Sequence, residues 1–366
     1  MSTNKTTSLI NKLLRPEIAA LSAYHIPDAT GMVKLDAMEN PYQWSAEIKQ
    51  EWSELIQRAQ LNRYPDPHAQ SLTKIIRTAF EIPENIGLML GNGSDEIIQI
   101  LVQTVSKPDA TILSVSPGFV MYEYISLFNR VKYVPVPLSP SFELDMPLLT
   151  QQIKEHQPAI IFIAYPNNPT GNLFKRSDIE NILTLAPGLV VVDEAYTAFA
   201  SDSFMQDLIK NKEQYPNLLV MRTVSKMGLA GLRLGYIAGD PRWITEFDKV
   251  RLPYNINVLT QLSAEFALEH KSMLDQQAQA ICEQRKLIFS ALHNMNGFKP
   301  FPSEANFILF RCLQGKGNSV FDALKEQGIL IKNLSTAPAL TDCLRVTVGN
   351  NEENQAFLAA LSQSAT

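Results

Sequence analysis

Within residues 218–235 (LLVMRTVSKMGLAGLRLG), Lys226 follows an apolar run, with Thr223 and Ser225 just before it and Gly228, Gly231, Arg233 and Gly235 after it. A primary amine among hydroxyls suits covalent work, and closely spaced glycines let a ligand approach the backbone. Together with Arg233, the stretch reads as an anion held near the main chain beside a reactive amine. Three other stretches have similar potential. In LGNGSDEI, residues 90–97, two glycines precede a helical pattern, so the free N–H groups around Gly93, Ser94 and Asp95 could receive an anion. Ser94 could equally serve as a plain helix cap. In AYPNNPTGNLF, residues 164–174, Asn167 and Asn168 present amides from a turn after a very apolar run. In LVVVDEAYTAF, residues 189–199, Asp193 follows four apolar residues and Tyr196 comes three later. A carboxylate at the end of a buried strand needs a partner, which could be a helix N-terminus or a protonated ring nitrogen.

These stretches must be held by a framework. Between about residues 86 and 240, the runs GLMLG, ATILSV, VKYVPV, AIIFIAY, LVVVDEA, LLVMRTV and GYIAGD alternate with helical patterns such as SDEIIQILVQTVS and SDIENILTLA. Several runs are continuously apolar, as in strands buried on both faces of a mainly parallel sheet. All four stretches end a strand or begin a helix, where open α/β sheets bind ligands. Residues 258–295 read as one long helix. Strands near ANFILFR, GILIKNL and CLRVTVG follow, then a terminal helix near NEENQAFLAALSQ. The expected fold is α/β: a large domain with a mainly parallel sheet flanked by helices, and a smaller α+β domain built from the C-terminal part and the N-terminal segment. The expected division is residues 1–45 as an N-terminal arm and loop with a small-domain segment, 46–255 as the large domain and 256–366 as the small one.

Composition narrows the possible functions. A net charge of −5 gives no reason to expect nucleic acid or an anionic membrane as partner. The apolar run at residues 159–165 is too short to span a bilayer, and the N-terminus lacks a secretory pattern, so a cytoplasmic protein is expected. Three scattered cysteines argue against a disulfide framework, and five scattered histidines against a metal site. LGNGSDEI is no dinucleotide fingerprint, because Glu96 stands where the third glycine belongs. A nucleotide- or NAD-binding α/β protein is thus the weaker alternative.

Taken together, the four stretches supply the parts that hold pyridoxal phosphate: an amine, a carboxylate for the ring nitrogen and a phosphate cup. The chain resembles the fold-type I pyridoxal-phosphate aminotransferases, and most closely their histidinol-phosphate family. KLDAMENPY, LNRYPDP, GNGSDEI, YPNNPTG, VVDEAY, SKMGLAGLRLGY, SEANFILF and CLRVTVG carry the likeness over nearly the whole length. The resemblance implies that Lys226 binds the cofactor covalently, Asp193 pairs with its ring nitrogen, and Asn168 and Tyr196 bond its phenolic oxygen. It further implies that Phe119 stacks on the ring, while Ser94, Asp95, Thr223, Ser225 and Arg233 face the phosphate. Tyr64 would reach that phosphate from the other subunit of a homodimer. Arg345 would grip the substrate anion, with Tyr24, Asn40 and Asn306 nearby. Lys332 aligns with an arginine that contacts substrate phosphate in some relatives, and lysine keeps the charge without the bidentate fork. The implied substrates are histidinol phosphate and glutamate or 2-oxoglutarate. Aromatic aminotransferases and threonine-phosphate decarboxylases of the same fold are the rivals.

Overall fold

The computed structural model describes residues 2–23, 27–211 and 213–364. After a short strand β1 (Val33–Lys34), seven strands form the main sheet. They are β2 (Gly87–Gly91), β3 (Thr111–Ser116), β4 (Lys132–Pro137), β5 (Ile160–Ala164), β6 (Leu189–Asp193), β7 (Leu218–Thr223) and β8 (Gly235–Gly239). Their spatial order is β2-β8-β7-β6-β5-β3-β4. Only β8 runs against its neighbours; every other pairing is parallel.

Continuous apolar runs in β5 to β7 follow from burial on both faces. Ile161, Ile163, Val190, Val192 and Val220 point to one side, against Leu72, Ile76, Ile179 and Ile182 of flanking helices. Ile160, Phe162, Leu189, Val191, Leu219 and Met221 point to the other, against Ile97, Leu101, Ile244 and Phe247. Each fully buried side chain of this kind contributes about 1.5–3 kcal/mol, so the sheet is rigid support for whatever lies at its ends.

The second sheet uses β9 (Phe298–Pro300), β10 (Phe307–Cys312), β12 (Lys332–Asn333) and β13 (Cys343–Thr347), in antiparallel order β12-β13-β10-β9. β11 (Ile329–Leu330) instead pairs in parallel with β1, tying the N-terminal segment to the C-terminal part. Ile308, Phe310, Leu344 and Val346 form the core of this unit with Ile281, Ile288, Leu324 and Phe357.

The expected single helix at 258–295 is two helices, Val258–Glu269 and Lys271–Asn294. The break is at His270, whose ring Nδ1 lies 2.9 Å from the Phe266 carbonyl that its own N–H also reaches. The stretch expected as an arm and loop also contains helices, Ser2–Leu13 and Pro16–Ala19. Among the described residues no helix is long and apolar enough to cross a membrane.

Candidate active site

The carboxyl ends of β2, β3, β5, β6 and β7 open on one cavity of about 390 Å³. Asp193 is the last residue of β6, and Lys226 lies three residues beyond β7. Helix Ser94–Val105 begins just after β2, and its N-terminus supplies Ser94 and Asp95 to the wall. Antiparallel β8 pairs Gly235 with Thr223, so Arg233, just before β8, returns to the same edge as β7's end. Thr223, Ser225, Phe119, Asn168 and Tyr196 also line the cavity, as do Ala37, Met38 and Glu39 from the N-terminal segment.

The side of the cavity nearest Arg233 is built for an anion. Ser94 and Asp95 open a helix on that wall, and the free N–H groups and positive dipole end of a helix N-terminus favour an anion. Arg233 Nη2 lies 3.6 Å from Asp95 Oδ2. Gly93, at φ +84°, leaves room for that guanidinium: a Cβ there would sit 2.8 Å from Arg233 Nη2. The Thr223 and Ser225 hydroxyls are 2.8 Å apart.

On the cavity floor, Lys226 Nζ donates to the Ala37 carbonyl at 3.3 Å. Burial, reinforced by Arg345 and Arg233, pulls this amine down to about 8 while Glu39 and Asp95 oppose the shift. The buried Asp193 carboxylate is pushed up to about 6 by desolvation. Ala195 N–H donates to its Oδ1 at 3.1 Å, so the cap-like contact is real, but its other oxygen is held from elsewhere. Tyr122 donates its hydroxyl to Oδ2 at 2.6 Å. Asn168 Nδ2 donates to the Tyr196 hydroxyl at 3.1 Å, and Arg345 Nη1 donates to Asn168 Oδ1 at 2.6 Å. Burial raises the Tyr196 phenol above its ordinary value, so it stays protonated.

The remaining expected residues divide into four groups. Arg345 is buried, and its Nη2 also donates to the Asp36 carbonyl at 3.1 Å. Lys332 is its direct antiparallel partner, so both side chains leave the same face of the small sheet. Asn40 and Asn306 are not on the cavity wall but brace it. Asn40 donates to the Met227 carbonyl and to Gln277, and Asn306 donates to the Met38 carbonyl. Tyr64 is away from the cavity of its own chain, 81% exposed and stacked on Tyr254 at 4.6 Å. Tyr24 falls outside the described residues.

Two side chains escaped the sequence reading. Tyr122 was hidden as one aromatic in an amphipathic helix, Met121–Phe128, although it lies only three residues after Phe119, whose ring it meets edge-on at 5.5 Å. Glu39 lines the cavity and is held by Lys34 Nζ at 2.5 Å.

An amine in a low-dielectric floor, a buried carboxylate, a phenol–amide pair and an anion cradle match the donor set of a phosphorylated aldehyde cofactor with a basic ring nitrogen. The aminotransferase class I and II family profile matches residues 30–361. Histidinol-phosphate aminotransferase 2 of Nitrosococcus oceani is 51% identical over 357 residues, covering 97% of this chain and 98% of that one. Histidinol-phosphate aminotransferase of Chromobacterium violaceum is 48% identical over 355 residues, covering 97% and 98%. The crystal structure of histidinol-phosphate aminotransferase from Sinorhizobium meliloti, in complex with pyridoxal-5'-phosphate, shares the fold with a TM-score of 0.84. It is 24% identical, with 96% of this chain and 97% of that one covered. With sequence likeness of this extent laid over that cavity, the chain belongs to the class I and II aminotransferases, within their histidinol-phosphate aminotransferase family.

Proposed function

We propose that the chain is a pyridoxal 5'-phosphate-dependent aminotransferase that moves the amino group between L-histidinol phosphate and 2-oxoglutarate, acting as a cytoplasmic homodimer. The observation that carries this reading is the meeting of Lys226, Asp193 and the anion cradle in one cavity of a chain half-identical to such enzymes. In this reading residues 46–255 serve as the large cofactor-binding domain, 1–45 as an N-terminal arm and small-domain segment, and 256–366 as the small C-terminal domain.

Pyridoxal phosphate, when bound, supplies an electron sink for the electrons released at the substrate α-carbon. Lys226 would hold it covalently and, once displaced, act as the base that takes and returns the α-proton. An amine lowered to about 8 has a large enough uncharged fraction near neutral pH to do so. Asp193 would keep a positive charge on the ring nitrogen, and Asn168 with Tyr196 would donate to the phenolic oxygen. Phe119 would cover a ring face. Ser94, Asp95, Thr223, Ser225 and Arg233 would hold the phosphate, joined by Tyr64 of the second copy. Arg345, with Lys332 beside it, would grip the substrate's phosphate or carboxylate, both forked anions suited to a guanidinium. Asn40 and Asn306 would support that subsite, and the family resemblance alone assigns Tyr24 to substrate binding.

Rates with histidinol phosphate, phenylalanine and phosphothreonine as amine substrates test the reading. Histidinol phosphate should be preferred in kcat/KM by roughly a hundredfold or more, since unpaired polar groups penalise the wrong ligand. Equal or faster turnover of phenylalanine, or carbon dioxide release from phosphothreonine, contradicts it.

A further inference from the structure

We infer that Tyr122 is a positioning residue for this reaction, locking the Asp193 carboxylate in place and favouring its charged form opposite the cofactor's ring nitrogen. The inference rests on the cofactor assignment above. Tyr122 is 1% exposed, on helix Met121–Phe128 directly after β3 and Phe119. Its hydroxyl donates to Asp193 Oδ2 at 2.6 Å while Ala195 N–H donates to Oδ1 at 3.1 Å. One donor on each oxygen fixes the carboxylate's rotation, and each oxygen keeps acceptor capacity toward the cavity. The phenol ring is fixed in turn, stacked on Phe162 at 4.6 Å and 8° and edge-on to Phe119 at 5.5 Å and 84°. A single side chain thus joins the wall that faces the ring to the acid that faces its nitrogen.

The surrounding charges make this donor matter. Asp95, from the helix after β2, and Glu194, next on the chain, both push Asp193 toward its neutral form, as does burial itself. Glu194 is engaged by Arg222 and Asp95 lies near Arg233, so neither cation is turned to Asp193. Tyr196 also feels the Asp193 charge. Against these, the Tyr122 hydroxyl and the Ala195 N–H are the groups that favour ionisation, the phenol more strongly. Burial and the adjacent carboxylate hold the phenol well above its usual range, so it remains an O–H donor throughout the working pH.

Tyr122→Phe removes the donor and keeps both ring contacts. In the cofactor-loaded variant, the acid limb of the kcat/KM profile should move upward by about one to two pH units, the weight of a hydrogen bond to a charged group. The cofactor's visible absorbance should titrate differently from wild type, with KM for glutamate within about twofold, since the substrate subsite is untouched. A slower or less stable variant whose acid limb and spectral titration match wild type overturns the inference. Should Tyr122→Phe fail to fold, a fluorotyrosine at position 122 keeps the shape with a stronger donor. The limb should then move downward, and an unmoved limb overturns the inference. If wild type itself transaminates neither histidinol phosphate nor glutamate, the substrate reading fails, while the absorbance titration still decides the role of Tyr122.

Discussion

Lys226 and Asp193 are both destabilised by the charges their chemistry requires. Lys226 is lowered from 10.5 to about 8, so the unfolded chain binds more protons than the folded one between those values. Stability of the cofactor-free protein should therefore rise as pH climbs from about 8 to 10.5, with the burial cost of the charged amine fully present below 8. Lys226→Met should melt higher than wild type at pH 7 in the cofactor-free form, and the gap should close toward pH 10.5; a gap constant with pH contradicts the desolvated amine. Lys226→Met should also abolish transamination. Asp193→Asn should retain cofactor yet lose at least tenfold in kcat, each tenfold being about 1.4 kcal/mol of transition-state stabilisation. A smaller loss would reduce Asp193 to the cap that its Ala195 contact resembles. At this scale the sequence was readable wherever a motif concentrates rare residue types, as around Lys226, Asn168 and Asp193. It was opaque for Tyr122, whose role arises only when β3's following helix is packed over β6.

Elements position these groups through close backbone approach and a buried ion pair. Gly93 combines φ +84° with a Cβ position 2.8 Å from Arg233 Nη2, so Gly93→Ala should strain the turn and displace the guanidinium. Cofactor affinity should fall roughly tenfold or more with the circular dichroism unchanged, an outcome that equilibrium titration with pyridoxal phosphate would reveal. Unchanged affinity would remove Arg233 from the phosphate cup. Below the site, fully buried Glu194 meets Arg222 at 2.8 Å and also accepts from the Ser203 hydroxyl and the Phe204 N–H. Arg222→Leu leaves that carboxylate uncompensated and should cost about 3–5 kcal/mol in denaturant unfolding. All seven main-sheet strands were visible in the sequence, most of them as apolar runs because burial on both faces erases polar alternation, and edge strand β4 as an alternating run with Lys132, Pro135 and Pro137 exposed. Their order was not, since strand neighbours are chosen by long-range packing and no local residue records them. The break at His270 was missed for a related reason: histidine is no helix breaker, and only its side-chain contact with the Phe266 carbonyl marks the end.

For the whole molecule, Tyr64 is exposed and stacked on Tyr254, away from the cavity of its own chain, and the proposed homodimer would bring it to the second copy's cofactor. The protein should sediment as a dimer of the 40.9 kDa chain. Mixing Tyr64→Phe with Lys226→Ala subunits should then regenerate sites free of both changes, because one site in each heterodimer collects both lesions. Cofactor retention no better than in the Tyr64→Phe homodimer would mean that the tyrosine serves its own subunit. The small domain was legible as α+β, but the pairing of β1 with β11, which carries Ala37 to Glu39 into the cavity wall, joins residues almost three hundred positions apart and left no local mark. Borohydride reduction of the cofactor-loaded protein, followed by peptide mass mapping, tests the central claim most directly. The pyridoxyl group should be found on the peptide containing Lys226, with loss of the visible absorbance band. Label on a different lysine, or none with the band intact, would contradict it.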